Sequence, residues 1–266
     1  MKRLKLYTCA IIVLLSIVIS GCSLLENIRQ PEIVSVRPEI TGIDFDAISL
    51  AFDVDVNNPY PIPIRTPRFR YGIAIQENEF FKGEAESGID LPAAKVGTLS
   101  LPVQLSYKDL WRTFQGLSDA KEVDYTLNGA LMFSALGQSF DLPLSHSGTF
   151  PVLRPPAFSN IKASLSEVSL TRAKIAVDAD VKNPNLFDLG IKGLGYALKV
   201  GGEEIGGLTA STGGMVGAGE TSRLALVGEM SVASSLLKLI RGGKLSDAML
   251  APSGSIQTPY GPVKFK

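Results

Sequence analysis

The sequence predicts a mainly β protein with two tandem antiparallel β-sandwiches, each with one short helix, after an N-terminal signal segment. The first observation is an internal repeat, because at an offset of 125 residues the segment 53–59 (DVDVNNP) falls on 178–184 (DADVKNP). Self-similarity at a fixed spacing indicates duplicated structural units. The second is alternation of apolar and polar residues, the period of a half-buried strand. The third is frequent glycine and proline between these segments, which favours short antiparallel strands over a parallel α/β sheet.

Residues 1–21 are predicted to be a lipoprotein signal peptide. A basic start is followed by an apolar run over residues 6–19, which is the layout of a secretory signal. That run is shorter than the roughly 20 residues that a membrane-spanning helix needs. The next residues, Ser20-Gly21-Cys22, complete a segment that resembles the bacterial lipobox, whose cysteine is lipidated and becomes the mature N-terminus. The alternative is an uncleaved N-terminal anchor with an incidental cysteine.

Cys22 is therefore the predicted lipidation site, and residues 22–37 are predicted to be the lipidated N-terminus and a spacer. Acyl chains such as palmitate on this cysteine would hold the protein at a membrane without a basic patch. The predicted location is the cell envelope, and the outer membrane facing the periplasm if the cell has two membranes, because Ser23 and not aspartate follows the cysteine. Loss of Cys9 with the signal leaves one cysteine, which excludes a disulfide scaffold.

The first repeat, residues 38–152, is predicted to form one sandwich. Alternate residues from Ile48 to Val56 are apolar, and polar or small residues take most of the positions between them. A strand with this pattern buries one face. Three further segments alternate in the same way, with apolar positions at Phe69, Tyr71, Ile73 and Ile75, at Leu99, Leu101, Val103 and Leu105, and at Val123, Tyr125, Leu127, Leu131 and Phe133.

Each repeat is predicted to contain one helix that closes an end of its sandwich. In the first repeat, Ser106 and Asp109 have the spacing of a helix-starting cap. In the second, the helix starts near Ser231 and ends at Gly242-Gly243. The apolar faces consist of Leu110, Trp111, Phe114 and Leu117 in the first helix and of Leu236, Leu239 and Ile240 in the second. The single tryptophan is matched by a leucine, so it is interpreted as a packing residue.

The second repeat, residues 153–266, is joined to the first by a linker over residues 151–156, in which Pro151, Pro155 and Pro156 are predicted to make the connection stiff. The offset of 125 residues places Tyr71 on Tyr196 and Gly129 on Gly254. The second repeat stops earlier than the first, five residues after Gly261. Its last strand is therefore expected to be short or missing, which would leave a sheet edge open for pairing with another chain.

An alternating strand that runs into Asp-x-Asp-Val-x-Asn-Pro, followed by an aliphatic stretch and a tyrosine-bearing strand, resembles the LEA type 2 family, whose domain is also called the water-stress and hypersensitive-response domain. Residues 53–59 and 178–185 carry the resemblance, and the first copy departs from the pattern with Tyr60 after its proline. The resemblance implies a fibronectin- or Ig-like β-sandwich for each repeat. It also implies an association with desiccation and stress, and no catalytic residues.

The motif residues are predicted to have a structural role. Proline pushes the residue before it out of helical geometry, and asparagine side chains cap turns well. Each Asn-Pro pair is therefore expected to form a sharp exit from a strand. The residues concerned are Asn58, Pro59, Asn183, Pro184 and Asn185.

A cation site is the alternative interpretation of the same segments. Carboxylates two residues apart lie on one face of a strand, as in Asp53 with Asp55 and Asp178 with Asp180. Calcium needs six or more oxygen ligands, which two carboxylates do not supply. A solvated strand face is therefore favoured, and no metal is predicted.

No enzyme activity or cofactor is predicted. The single histidine, His146, lies in only one of the two repeats, and the nucleophile-elbow, zinc-protease and phosphate-loop patterns do not occur in the sequence. The 26 basic residues are balanced by 26 acidic ones, without a basic run that carries interleaved aromatic residues. Nucleic acid is therefore not an expected partner.

Two functional hypotheses follow from the sequence. The first is a membrane-anchored, non-catalytic stress-protection lipoprotein of the desiccation type, which acts by weak surface contact with proteins or the envelope. The alternative is an envelope interaction or lipid-carrier module that uses a sandwich groove or an open sheet edge. The expected partners are a membrane, through lipidated Cys22, and client proteins or lipid.

Overall fold

The computed structural model describes residues 30–66, 69–85, 89–114, 116–135, 138–200, 203–211, 214–231 and 248–265. The predicted signal segment, Cys22 and nearly all of the second predicted helix lie outside the described residues. The strands of the first unit are β1 (Glu32–Ile43), β2 (Ala47–Asn57), β3 (Ile64–Thr66), β4 (Phe69–Ile75), β5 (Asn78–Ala85), β6 (Ile89–Leu91), β7 (Val96–Ser106), β8 (Glu122–Ala135) and β9 (Gln138–Pro151). Those of the second unit are β10 (Ala157–Ser166), β11 (Arg172–Lys182), β12 (Leu189–Gly190), β13 (Gly195–Val200), β14 (Glu203–Ala210), β15 (Met215–Val216), β16 (Thr221–Ser231), β17 (Ala248–Ser253), β18 (Ser255–Thr258) and β19 (Gly261–Lys264).

The strands form antiparallel sheets in both units, which confirms the predicted mainly β fold in two tandem copies. The first unit has one layer with the strand order β1-β2-β7, a second with the order β5-β4-β8-β9, and a small β3-β6 pair. The second unit has a six-stranded sheet, β10-β11-β16-β14-β13-β17, and a four-stranded sheet, β15-β12-β18-β19.

The predicted alternation is present in the core strands. In β2, every second residue from Ile48 to Val56 is buried and the residues between them are half-buried. β11 repeats the pattern around Val177. The pairing register also repeats, because Val54 faces Leu99 in the first unit and Ala179 faces Leu224 in the second.

One register prediction is wrong. The offset of 125 residues places Gly129 on Gly254, but Tyr71 faces Gly129 whereas Tyr196 faces Pro252. Equivalent residues of β8 and β17 are therefore two residues closer in sequence than the offset of 125 that holds up to β16. A shift of two preserves which side chains point inward, so the apolar pattern alone does not reveal it. Gly254, with a positive φ of 90°, instead marks the break between β17 and β18.

The two units differ at one seam. In the second unit β14 pairs with β16, with Leu208 opposite Gly228. This pairing joins the strands that correspond to the two layers of the first unit into one six-stranded sheet. Among the described residues of the first unit, β5 and β7 are not paired. The glycines explain the difference, because a Cβ on Gly228 would overlap the carbonyl oxygen of Gly207. The first unit has Val103 where the second has Gly228.

The helix of the first unit, α1 (Tyr107–Thr113), starts where the sequence predicts. The Asp109 backbone N–H donates to the Ser106 hydroxyl at 3.4 Å. Trp111 is half-buried and stacks on Tyr107 with ring centroids 5.8 Å apart, in keeping with a packing role. α1 ends before Leu117, which was expected on its apolar face and lies instead in a 3₁₀ turn (Leu117–Asp119). Within the described ranges, no helix is long and apolar enough to cross a membrane.

The spacer prediction needs a correction at its end. β1 begins at Glu32, so residues 32–37 of the predicted spacer belong to a strand. β1 is an edge strand, and its neighbour is β2 alone among the described strands. Only half of an edge strand's environment is protein, so its apolar residues are few and only partly buried, as Ile33 and Val36 are. The alternation is too weak to be recognised in the sequence.

Candidate functional site

Asn58 follows directly after β2 and is completely buried. Its amide nitrogen lies within hydrogen-bond distance of three carbonyl oxygens, those of Ile62 at 2.9 Å, Leu91 at 3.2 Å and Pro92 at 3.0 Å. Its amide oxygen accepts from the Tyr60 backbone N–H at 2.9 Å. The side chain therefore ties the turn after β2 to the end of β6, a neighbouring segment more than 30 residues away.

Asn183 makes the same network in the second unit and is also completely buried. Its amide nitrogen is 2.7 Å from the carbonyl oxygen of Phe187, 3.0 Å from that of Val216 and 3.1 Å from that of Gly217. Its amide oxygen accepts from the backbone N–H of Asn185 at 3.0 Å. Each of these partners stands 125 residues after its counterpart in the first unit, so we refer to both sets as the asparagine networks.

Backbone hydrogen bonds close the same turn in both units. The Ala94 N–H donates to the Tyr60 carbonyl at 2.7 Å, and the Gly219 N–H donates to the Asn185 carbonyl at 3.1 Å. Ala94 and Gly219 both have a positive φ, of 52° and 70°. Alanine is unusual in this conformation, which disfavours residues with a Cβ. The first unit therefore forms the same turn despite the backbone strain at Ala94.

The asparagine networks hold strands and loops together and leave little capacity for a ligand. The side-chain amides of Asn58 and Asn183 are buried and hydrogen-bonded to the protein's own backbone, and the oxygen of Asn183 also accepts from the side chain of Asn185 at 2.9 Å. An amide side chain has two N–H donors and one oxygen, and here each donor set is shared by three carbonyls. Pro59 and Pro184 follow as half-buried residues at the strand exit.

Asn185 extends the second network to the linker between the units. Its amide oxygen accepts from the Arg154 N–H at 2.7 Å, and its amide nitrogen donates to the Arg154 carbonyl at 2.9 Å. The guanidinium of Arg154 donates to the Ala120 carbonyl at 2.9 Å and to that of Ser118. Arg154 therefore joins both units, a role that its sequence context did not reveal. In the first unit, buried Tyr60 occupies the position of Asn185.

The rest of the linker packs on the first unit. Val152 and Leu153 are buried, and the Val152 N–H donates to the Lys121 carbonyl at 2.9 Å. The Leu153 N–H approaches the Tyr107 hydroxyl at 3.5 Å. Burial raises the pKa of that hydroxyl, so it stays protonated. The stiffness predicted from three prolines is thus reinforced by tertiary contacts.

One of the two carboxylates of the first motif, that of Asp55, is already engaged by the protein. Asp55 accepts hydrogen bonds from the hydroxyls of Ser35 at 2.8 Å and Thr98 at 2.7 Å, and it forms an ion pair with Arg37. Hydrogen bonds from Arg37, Thr98 and Ser35 hold the pKa of Asp55 well below its usual range. Within the described ranges, no group of three or more His, Cys, Asp or Glu residues could hold a metal ion.

The carboxylates of the second motif are arranged differently. Asp180 accepts from the Asn160 side chain at 2.7 Å, whereas Asp178 is exposed. His146 lies in the first unit. It is half-buried in β9 opposite Leu127, and its ring centroid is 6.4 Å from that of Tyr125.

An open trough of about 830 Å³ crosses the outer face of β4, β5 and β8. Its floor contains Gly72, Ala74 and Ala130, and its rim includes Arg70 and Lys82. A lipid chain needs an apolar cavity that excludes water, because the free-energy gain comes from removing apolar surface from water. A shallow trough with a charged rim does not provide this, so it offers little support for a lipid carrier.

Tyr71 and Tyr196 occupy equivalent core positions but differ in hydrogen bonding. The Tyr71 hydroxyl donates to the Pro102 carbonyl at 2.6 Å. The Tyr196 hydroxyl is buried without a hydrogen-bond partner in the described part of the chain, and burial raises its pKa to about 12. We expect Tyr71→Phe to lower the free energy of unfolding by about 1 kcal/mol, and Tyr196→Phe to leave it unchanged or raise it. Urea denaturation of both variants tests this, and equal losses would contradict it.

Solved structures that are similar to this chain include the following three. A crystal structure of a protein from Archaeoglobus fulgidus is 14% identical, with 47% of this chain and 100% of that chain covered and a TM-score of 0.37. A solution structure from Arabidopsis thaliana is 22% identical, with coverages of 46% and 82% and a TM-score of 0.38. Red sea bream transglutaminase is 13% identical, with coverages of 88% and 32% and a TM-score of 0.27.

The family assignment rests on the sequence of both units. No curated protein matches the chain. The sequence model of the late embryogenesis abundant protein family, type 2, matches residues 53–148 and 178–255. The two matched regions contain the two asparagine networks, one in each unit. The chain belongs to the LEA type 2 family of late embryogenesis abundant proteins and carries two tandem copies of its domain.

Proposed function

We propose that this protein is a membrane-anchored, non-catalytic lipoprotein that protects proteins or the cell envelope during water stress. The observation that carries the proposal is the family match over both units. The family suggests a water-stress-related function, and its members are generally not enzymes. The asparagine networks are consistent with this, since their polar groups are engaged by the protein's own backbone.

The proposed mechanism is weak contact between a folded surface and its clients. Apolar residues make up 45% of the sequence, which is more than a disordered, hydrophilic protectant would contain. Several large apolar side chains nevertheless remain exposed, and Leu170 is the most exposed of them at 96%. Scattered side chains of this kind can touch apolar surface that a client exposes as it loses water.

A protection assay tests this role. A labile enzyme is dried with residues 23–266 of the protein or with an equal mass of an inert folded protein, and the recovered activity is measured. We expect clearly greater recovery with residues 23–266. Leu170→Ser changes a fully exposed position, so it should keep the fold and reduce the recovery of activity above that with the inert protein. Recovery equal to that with the inert protein would refute general protection, and an undiminished excess with Leu170→Ser would refute apolar contact at that residue.

The proposed anchor places the first unit close to the membrane. Only residues 23–31 separate Cys22 from the start of β1. A chain extends by at most ~3.3–3.6 Å per residue, so the ten steps from Cys22 to Glu32 span at most about 36 Å. A lipid on Cys22 would therefore hold the end of the first unit that contains Asn58 near the bilayer surface.

The anchor is tested by metabolic labelling with a palmitate analogue. We expect label and membrane association in the unchanged protein, and loss of both in Cys22→Ser. Cys9→Ser is the matched control, because Cys9 lies within the predicted signal peptide and should be removed with it. Retention of label in Cys22→Ser, or its loss in Cys9→Ser, would show that Cys22 is not the lipidated residue. This result would leave the protection assay unaffected.

A further inference from the structure

The exposed apolar side chains of the first unit lie at one of its ends. Among the described residues of that unit, the large apolar side chains that remain exposed are Val34 at 59%, Ile62 at 42% and Val96 at 49%. We refer to these three residues as the apolar tip. Single exposed apolar side chains are normal on a protein surface, whereas several at one place mark an interaction site.

The apolar tip surrounds the point at which β1 begins. Glu32, the first residue of β1, and Val96, the first residue of β7, both lie opposite Asn57 at the end of β2. Val34 is two residues further along β1. Ile62 lies in the turn directly after β2 that the first asparagine network closes. The three side chains are therefore at the end of the unit where the chain arrives from the predicted spacer.

The second unit does not repeat the apolar tip. At the offset of 125 residues, Ser159 and Thr221 stand where the first unit has its two valines, and Phe187 stands where it has the isoleucine. Phe187 is buried and packs edge-on against Tyr260, with ring centroids 5.3 Å apart. Leu186 is the large apolar side chain that remains exposed in this turn. The shared fold therefore does not require the apolar tip, which belongs to the unit that follows the proposed anchor.

Charges at this end are close to balanced. Lys95 and Glu32 are exposed with opposite charge, and Arg65 forms an ion pair with Asp90 at 3.2 Å. Attraction to an anionic surface is therefore weak here, and contact depends on apolar surface. A lipid bilayer without net charge is a sufficient partner.

The proposed lipid on Cys22 brings a bilayer within reach of the apolar tip. The ten residue steps from Cys22 to Glu32 span at most about 36 Å. A short tether gives the two surfaces a high effective concentration. Apolar side chains that are too few to bind a membrane from solution can then enter the boundary between its headgroups and acyl chains.

We propose that the apolar tip docks on the lipid bilayer, with Val34, Ile62 and Val96 in its interfacial layer. β7 runs away from the tip for roughly 33 Å and leads directly into α1. Docking therefore makes the first unit stand upright, with α1 at its far end from the membrane. This inference rests on the proposed anchor at Cys22 and adds to it the surface that touches lipid and the orientation of the unit.

Fluorescence quenching by lipid tests the proposal with the full-length lipoprotein in phosphatidylcholine vesicles. Cys9 is removed with the signal and Cys22 carries the lipid, so Val96→Cys supplies a single free thiol for a fluorescent probe. Lys108→Cys is the matched control, because Lys108 is exposed on α1 at the far end of the same unit. A quencher on the acyl chains should lower the emission at position 96 at least twofold and leave that at position 108 unchanged.

Two failures are distinguishable in this experiment. Equal quenching at the two positions, or none at position 96 in protein that floats with the vesicles, would overturn the docking proposal and leave the anchor intact. Protein that does not float with the vesicles would refute the anchor at Cys22, and the docking proposal would fall with it.

A pair of aspartate variants tests the role of the apolar side chains, with the probe on Val34→Cys. Ile62→Asp places a charge in the apolar tip and should reduce quenching at least threefold, because a carboxylate resists transfer out of water. Leu186→Asp makes a similar change in the corresponding turn of the second unit and should leave quenching unchanged. Both variants should still float with the vesicles. Equal reduction in the two variants, or none in Ile62→Asp, would overturn the proposal.

Discussion

Asn183→Ala is expected to lower the free energy of unfolding by about 3–5 kcal/mol, a large fraction of the stability of a typical domain. The truncation removes the donor shared by the carbonyl oxygens of Phe187, Val216 and Gly217. It also removes the acceptor for the N–H of Asn185. A buried polar group left without a partner costs about 1–3 kcal/mol, and several are orphaned together in this buried turn.

The equivalent substitution in the first unit tests whether each asparagine network stabilises its own unit. Asn58→Ala should destabilise by a similar amount, and the fluorescence of Trp111, which lies in the first unit, should report it. Circular dichroism during urea denaturation reports both units. Asn128→Ala is the control, since Asn128 is exposed and accepts one hydrogen bond from Ser145 at 3.3 Å. A loss for Asn183→Ala no larger than that for Asn128→Ala would contradict the structural role of the networks.

Gly228→Ala is expected to open the seam between β14 and β16 and to cost about 2–4 kcal/mol, at the upper end of the usual cost of overpacking. The new Cβ would overlap the Gly207 carbonyl oxygen and would lie 2.9 Å from the Leu208 side chain. Because the first of these atoms belongs to the backbone, a rotamer change cannot relieve the overlap, and the strands must separate. Faster amide exchange in β14 and a lower urea midpoint are the measurements.

A neighbouring glycine provides the matched control for the seam. A Cβ on Gly206 would meet its nearest atom, the Met230 Cβ, at 3.5 Å, which is an ordinary van der Waals contact. Gly206→Ala should therefore leave the free energy of unfolding unchanged or raise it slightly, since alanine loses less conformational entropy on folding. Equal destabilisation by the two substitutions would show that loss of glycine flexibility, and not the close approach of the strands, is the cause.

The fold could be predicted from the sequence largely because strand burial has a period of two. That signal is strong in β2 and β11, which have a neighbouring strand on each edge and a core on one face. It is weak in β1, which lies at an edge. The offset of 125 residues holds through β16 and then fails at β17, because a two-residue change keeps the inward face and is invisible to the pattern.

The site was predicted in part. The strand exits at Asn58 and Asn183 follow from the local preferences of asparagine and proline. Their carbonyl partners could not be predicted, because Leu91 and Val216 lie 33 residues further along the chain and only the tertiary fold brings them close. Arg154 was missed for the same reason. The seam was missed because Gly228 stands at an inward position of an apolar pattern, where the absence of a side chain carries no signal.

The contact between Asn185 and Arg154 can form only when the two copies stand in their present order. Asn185 binds the backbone of the residue that links it to the preceding unit, on both its N–H and its carbonyl. The first copy has Tyr60 at that position, and a tyrosine has no amide to make this pair of bonds. A gene in which the two repeats were exchanged would encode the same sequences but would lose these hydrogen bonds between the linker and the domain that follows it. The duplication has thus produced a leading and a trailing domain, and only the trailing one is shaped to follow another.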